Sequence, residues 1–290
     1  MDQRSSQETV ETVTVESSSV TVVEGKIESQ EQAQKRKRKL LKDLLTGVSV
    51  YVLLLLCFSF LFIVHATPLV FHEVFGLLIF VVVITHVVLL RSFFSFVREQ
   101  RQPVFIYRDV VLLGLAIAFI VAVISGIAFS HVLLKDVISL PGSRRMWHDV
   151  HTVSTSYLLI FIGLHLGCYA QKFATWLSDS LAQLIVIPAP LSAEDTMADA
   201  VKRAQRMNKT ATWIKRFLGG GLALISVNGI VQFVEQSFFD KLIAQRSFSF
   251  YDFESSWLSN AVNQLSIMML FMAISALLYW GFLHLSAKKD

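Results

Sequence analysis

The sequence predicts an all-α membrane protein with six transmembrane helices, and three observations carry that expectation. Of its 290 residues 54% are hydrophobic and only 17% charged, against roughly 25% charged in an ordinary soluble domain. The apolar residues gather into six long runs, near 44–65, 70–90, 109–131, 150–170, 214–235 and 262–284, each long enough for a hydrocarbon core that takes about 20 helical residues. The cations are placed one-sidedly: with the first run entering from the cytoplasm, nineteen Lys and Arg near the membrane fall inside and five (Lys135, Arg144, Arg145, Lys241, Arg246) outside. That asymmetry predicts both termini on the cytoplasmic side.

The elements follow in order. Residues 1–34 are rich in Ser, Thr, Glu and Gln, contain no aromatic residue and lack the basic-then-apolar order of a signal peptide. Residues 1–43 therefore read as a disordered cytoplasmic tail that ends in a basic block of Lys35, Arg36, Lys37, Arg38, Lys39 and Lys42. Beside a membrane run such a block is a topology signal, and nucleic acid is not an expected partner. Four runs then fill residues 44–170. Residues 171–212 form a cytoplasmic connector in which SAEDTMADAVKRAQRMNK (192–209) suits a short helix, with Ser192 and Asp195 at its start and cations toward its end. Residues 213–290 supply two further spans and an outer loop. The fifth run is interrupted by Gly219, Gly220, Gly221, Asn228, Gly229 and Gln232, which suits contact with other helices better than contact with lipid. Cys57 and Cys168 lie singly in apolar runs, so neither a disulfide framework nor a thiolate metal site is signalled.

Eight histidines occur, at 65, 72, 86, 131, 148, 151, 165 and 284. His72 and His86 are fourteen residues apart on the second run, and His151 and His165 fourteen apart on the fourth. Fourteen residues turn an α-helix almost four whole times and advance it about 21 Å, so each pair shares a face with one member near each membrane surface. The second and fourth runs cross in the same direction, which sets His72 level with His151 outside and His86 level with His165 inside. A b-type haem takes two axial imidazoles from opposite sides of its iron, and this arrangement offers that twice, predicting two haem b groups in a four-helix bundle on the N-terminal side. A zinc or non-haem iron site would gather three or four ligands at short spacing, whereas here each pair is drawn apart. Any one of these histidines alone would read as an interhelical hydrogen-bonding residue. Two matched pairs at equal depth favour the haem reading.

Around them, His148 lies about 100° off the face of His165 and is placed, with Arg144 and Arg145, to meet a haem propionate at the outer surface. Arg91, with Arg108, is placed similarly inside, where topology also accounts for both. His65, His131 and His284 fall at span ends, where interfacial placement is the default. Gly76, Gly126 and Gly163 are positions where a flat macrocycle or a neighbouring helix approaches backbone.

The stretches FHEVFGLLIFVVVITHVVLLRSFF, SGIAFSHVLL and RMWHDVHTVSTSYLLIFIGLHLG resemble the flavinylation-associated cytochrome family, bacterial four-helix haem-binding membrane domains. The likeness covers roughly residues 44–170 and includes the His-Glu and Gly that open the second span, the Ser-Gly of the third and the paired histidines of the fourth. More loosely, the architecture is similar to the cytochrome b subunits of quinol-linked reductases and to ferric-reductase haem domains. The resemblance implies a multi-pass protein of the bacterial inner membrane that carries electrons from the quinol pool or a cytosolic donor to extracytoplasmic flavoproteins or other acceptors. Its haem ligands fall on His72, His86, His151 and His165. No dinucleotide fingerprint is present, so a nicotinamide or flavin donor would be a separate chain. Two other functions compete: a quinol-oxidising or metal-reducing catalytic subunit, and a haem-free scaffold or transporter, for which the expected inverted repeats are not visible.

Overall fold

The computed structural model describes residues 34–35, 37–45, 61, 69–89, 102–135, 140–186, 197–245 and 256–287. Helices dominate them, in the order α1 (Leu69–Leu89), α2 (Pro103–Phe129), α3 (Arg144–Val186), α4 (Met197–Glu235), α5 (Phe238–Leu242) and α6 (Trp257–Ala287). Residues 37–45 are helical too. Five helices, α1, α2, α3, α4 and α6, are long and apolar enough to cross a membrane. The chain is thus an all-α protein of multi-pass membrane character. The first expected span, near 44–65, falls almost entirely outside the described residues, as do His65 and Arg91.

The helix boundaries have local causes. Pro103 opens α2 after Gln102, whose backbone is extended at φ −71° and ψ 145°; the N–H that proline lacks has no helical partner in a first turn anyway. Before α3 the chain turns through Gly142 at φ 129°, a region that side chains disfavour. Ser143 Oγ then accepts the Met146 N–H at 3.1 Å, satisfying one of the free donors of the first turn. Both α3, of 43 residues, and α4, of 39, run well beyond the apolar stretches that announce them. The short helix expected over 192–209 is the beginning of α4. From Met197 to Leu218 no Pro or Gly occurs to stop it. Gly219–Gly221 weaken α4 by about 1 kcal/mol each relative to alanine, yet the helix continues through them, as backbone in lipid must keep its hydrogen bonds.

The contacts divide the chain into two compact units. One combines residues 1–50 with 175–216, the other 51–174 with 217–290. In the first, Lys215 Nζ of α4 approaches Asp179 Oδ1 of α3 at 3.9 Å, a partly exposed pair that adds little stability. In the second, the core joins Ala118 and Ala122 of α2, Leu158, Leu159 and Ile162 of α3, Phe238 of α5, and Ile267 and Met268 of α6.

Small residues set this packing, as they do where helices meet in lipid. A Cβ on Gly163 would overlap the Met268 carbonyl, one on Gly167 the Met272 carbonyl and Ser275, and one on Gly229 the Ser266 carbonyl. The order of these contacts makes α6 parallel to α3 and antiparallel to α4. Tyr107 Oη of α2 donates to Ser275 Oγ at 3.0 Å, and Ser275 Oγ to the Leu164 carbonyl at 2.6 Å. The C-terminal helices α5 and α6 thus share a core with α2 and α3. Gly163, one of the glycines considered for a macrocycle, is occupied by α6.

Candidate cofactor site on paired histidines

Helix α1 carries His72 and His86, and α3 carries His151 and His165. Midway along each face lies a buried aliphatic residue: Ile79 is 3% exposed and Leu158 9%. Seven residues advance a helix by almost two turns, so each stripe reads histidine, aliphatic, histidine. Beside Ile79, Phe80 stacks on Phe119 of α2, centroids 6.2 Å apart and planes 10° from parallel.

At the first level the His72 and His151 rings meet in a T-shaped contact, centroids 6.2 Å apart and planes at 83°. An iron bound on both sides at about 2 Å by imidazole nitrogen, with about 1 Å more to each ring centre, separates two ring centres by about 6 Å. The centroid spacing of His72 and His151 matches that separation. His151 Nδ1 lies 3.0 Å from the Ala122 carbonyl and 3.2 Å from Ser125 Oγ. Donation from Nδ1–H to that carbonyl fixes the tautomer and leaves Nε2 with its lone pair, the usual support of a metal-binding histidine. Ser125 is itself fully buried and donates to the Val121 carbonyl at 2.6 Å. Gly126 gives the ring its room, since a Cβ there would stand 3.1 Å from His151 Cε1. The His72 ring lies beside the Leu61 backbone, and among the described residues its buried Nδ1 closes no hydrogen bond of good geometry.

At the second level His165 has a buried Nδ1 without a hydrogen-bond partner among the described residues, and its ring meets Tyr169 edge-on at 5.3 Å. His86 is exposed, and close enough to His165 for their charges to interact. The second pair is therefore the more open one. Arg108, near this end of α2, is buried and holds Asp109 Oδ1 through Nε at 3.2 Å and Nη2 at 3.1 Å. Among the described residues no group of three or more His, Cys, Asp or Glu side chains is gathered for a metal. A haem iron asks the protein for axial ligands only, because its porphyrin supplies the rest.

The three outer residues named with the first pair do not act alike. His148 is part-buried, with Nδ1 3.4 Å from Asp149 Oδ1. Its ring lies 5.0 Å from Phe129, which meets His131 on another side at 4.8 Å. Arg144 Nη1 donates to His131 Nδ1 at 3.4 Å. Arg144, His131, Phe129 and His148 thus form one cluster. Arg145 is exposed and lines a cleft of 780 Å³ with Asp149, Tyr157 and Ser154.

The sequence assigned no role of their own to Glu73 and Ala122, placed His131 only at a span end, and offered Gly126 as a point of close approach. Glu73 did carry a signal, a lone carboxylate at the mouth of an apolar run. Ala122 carried none, because its contribution is a backbone carbonyl. No protein-family description, curated protein or solved structure matches this chain.

Proposed function

We propose that this chain is a transmembrane electron-transfer protein holding two b-type haems, one between His72 and His151 and one between His86 and His165. The ring pair at 6.2 Å carries the reading, because it has the spacing of an axial pair and joins two helices that each repeat a histidine fourteen residues on. Haem, when bound, supplies one-electron redox chemistry. The protein's part is to fix ligand orientation through the Ala122 carbonyl, exclude water with Ile79, Leu158 and the Phe80–Phe119 stack, and set the potentials by burial and hydrogen bonding. The more open His86–His165 level is suited to exchange with a partner at its own surface.

The likeness to the flavinylation-associated cytochromes supports placing the protein in a bacterial inner membrane with both termini in the cytoplasm. In that setting electrons would pass from the quinol pool or a cytosolic donor to an extracytoplasmic flavoprotein. The test is vectorial. Vesicles containing the purified protein, loaded with dithionite and given ferricyanide outside, should reduce the external acceptor several times faster than protein-free vesicles. His86→Ala and His151→Ala should each abolish the difference. Equal rates with and without the wild-type protein would remove the proposal.

A second reading, a quinol-oxidising subunit, is favoured by the cleft between α2 and α3, apolar along Ile117, Ala118 and Val121 and polar at Arg145 and Asp149. It predicts haem reduction by a short-chain quinol that slows when Val121 is replaced by Trp. Reduction that is insensitive to this change would set the reading aside.

A further inference from the structure

The carboxylate of Glu73 is the most heavily engaged side chain near the first histidine pair. Oε1 accepts the backbone N–H of His131 at 2.8 Å and of Val132 at 3.2 Å. Oε2 accepts the N–H of Leu133 at 2.6 Å and the hydroxyl of Ser130 at 2.9 Å. Ser130 Oγ in turn accepts the Leu134 N–H at 3.0 Å. Three successive amides turned toward one anion form a backbone nest, and hydrogen bonds to a charged acceptor are the stronger kind.

The placement of this nest matters more than its strength. Glu73 follows His72 directly in the first turns of α1, and residues 130–134 follow the last turn of α2. That last stretch of α2 also holds His151, through the Ala122 carbonyl, Ser125 and the space at Gly126. One helix end therefore grips both sides of the pair, α1 through Glu73 and α3 through His151. In this turn of α1, Phe71 and Val74 are 54% and 45% exposed. The Glu73 bonds oppose sliding and rotation of this turn, and a helix turns about 100° per residue.

We propose that Glu73 is a positioning residue for the His72–His151 site, clamping the start of α1 to the 130–134 loop so that the His72 ring stands opposite His151. The inference rests on that pair being a haem site, and its test separates the two claims. The full-length protein is compared with Glu73→Gln and Ser130→Ala by amide hydrogen exchange, haem content and low-temperature EPR of the oxidised form. In Glu73→Gln the amides of His131, Val132 and Leu133 should exchange about ten-fold faster or more, as expected when a charged acceptor is lost. One low-spin haem signal should shift or disappear while the other is unchanged. Ser130→Ala, which keeps all three amide bonds, should retain both haems and move the same signal less. An unchanged exchange rate, two unaltered haem signals, or parallel loss of both signals would overturn the positioning role. A wild type without haem would overturn the parent reading, and with it any role toward the cofactor.

Discussion

His151 meets His72 with its ring centre 6.2 Å away while its Nδ1 reaches back 3.0 Å to the carbonyl of Ala122. The imidazole is fixed at one nitrogen and directed with the other, so its orientation is settled by the backbone of α2. Gly126 completes that seat. A Cβ there would stand 3.1 Å from His151 Cε1, tight enough that the ring must give way. Gly126→Ala should shift the spectrum and midpoint of one haem while leaving the other unchanged. Gly126→Leu should lose that haem and lower stability by about 1–3 kcal/mol, the usual cost of overpacking. Absorbance redox titration and thermal melts in detergent read both effects.

The glycines of α3 and α4 are expected to separate into two kinds. Gly163 and Gly167 lie against backbone of α6, whereas Gly219, Gly220 and Gly221 have nothing among the described residues within 4 Å of a would-be Cβ. Gly167→Leu should destabilise the protein by about 1–3 kcal/mol. Gly220→Ala should instead be neutral or stabilising by up to about 1 kcal/mol through helix propensity. Melting temperatures of the two variants, measured in one detergent, should move in opposite directions or differ by several degrees.

Lys241 is 7% exposed, with Nζ 5.8 Å from the centre of the Phe238 ring. Burial holds its ammonium below the ordinary 10.5. The sign follows from proton linkage. A cation with a depressed folded-state value binds fewer protons when folded, so stability rises with pH between that value and 10.5, and the full penalty persists below it. Lys241→Met should raise the melting temperature at neutral pH, and the gap to wild type should narrow as the pH approaches 10. A gap that widens with pH would contradict this account.

The spans and the histidine pairs were legible because both are periodic: apolar runs report burial in lipid, and a fourteen-residue interval reports a shared helix face whatever the surroundings. The extents of α3 and α4 were not, since their polar ends, such as KRAQRMNKT in 202–210, are equally compatible with helix and loop until a partner strand of chain is in view. The sharing of a core between α6 and α3 was encoded in Gly163, Gly167 and Ser275. Small residues announce close contact without naming the neighbour, and Gly163 suited a macrocycle equally well. Glu73 was visible as an anomaly, but its partners are three backbone amides of a loop 57–60 residues away, and amides have no signature in sequence.

A haem count reads the occupancy of the two histidine pairs. Purified protein, expressed with haem in excess, should give a dithionite-reduced minus oxidised spectrum of b type and a pyridine haemochrome assay near two haems per chain. Exchange of either member of a pair, His72 or His151, His86 or His165, for alanine should lower the count to about one. Wild-type protein that is folded, α-helical by circular dichroism and free of haem would contradict the account.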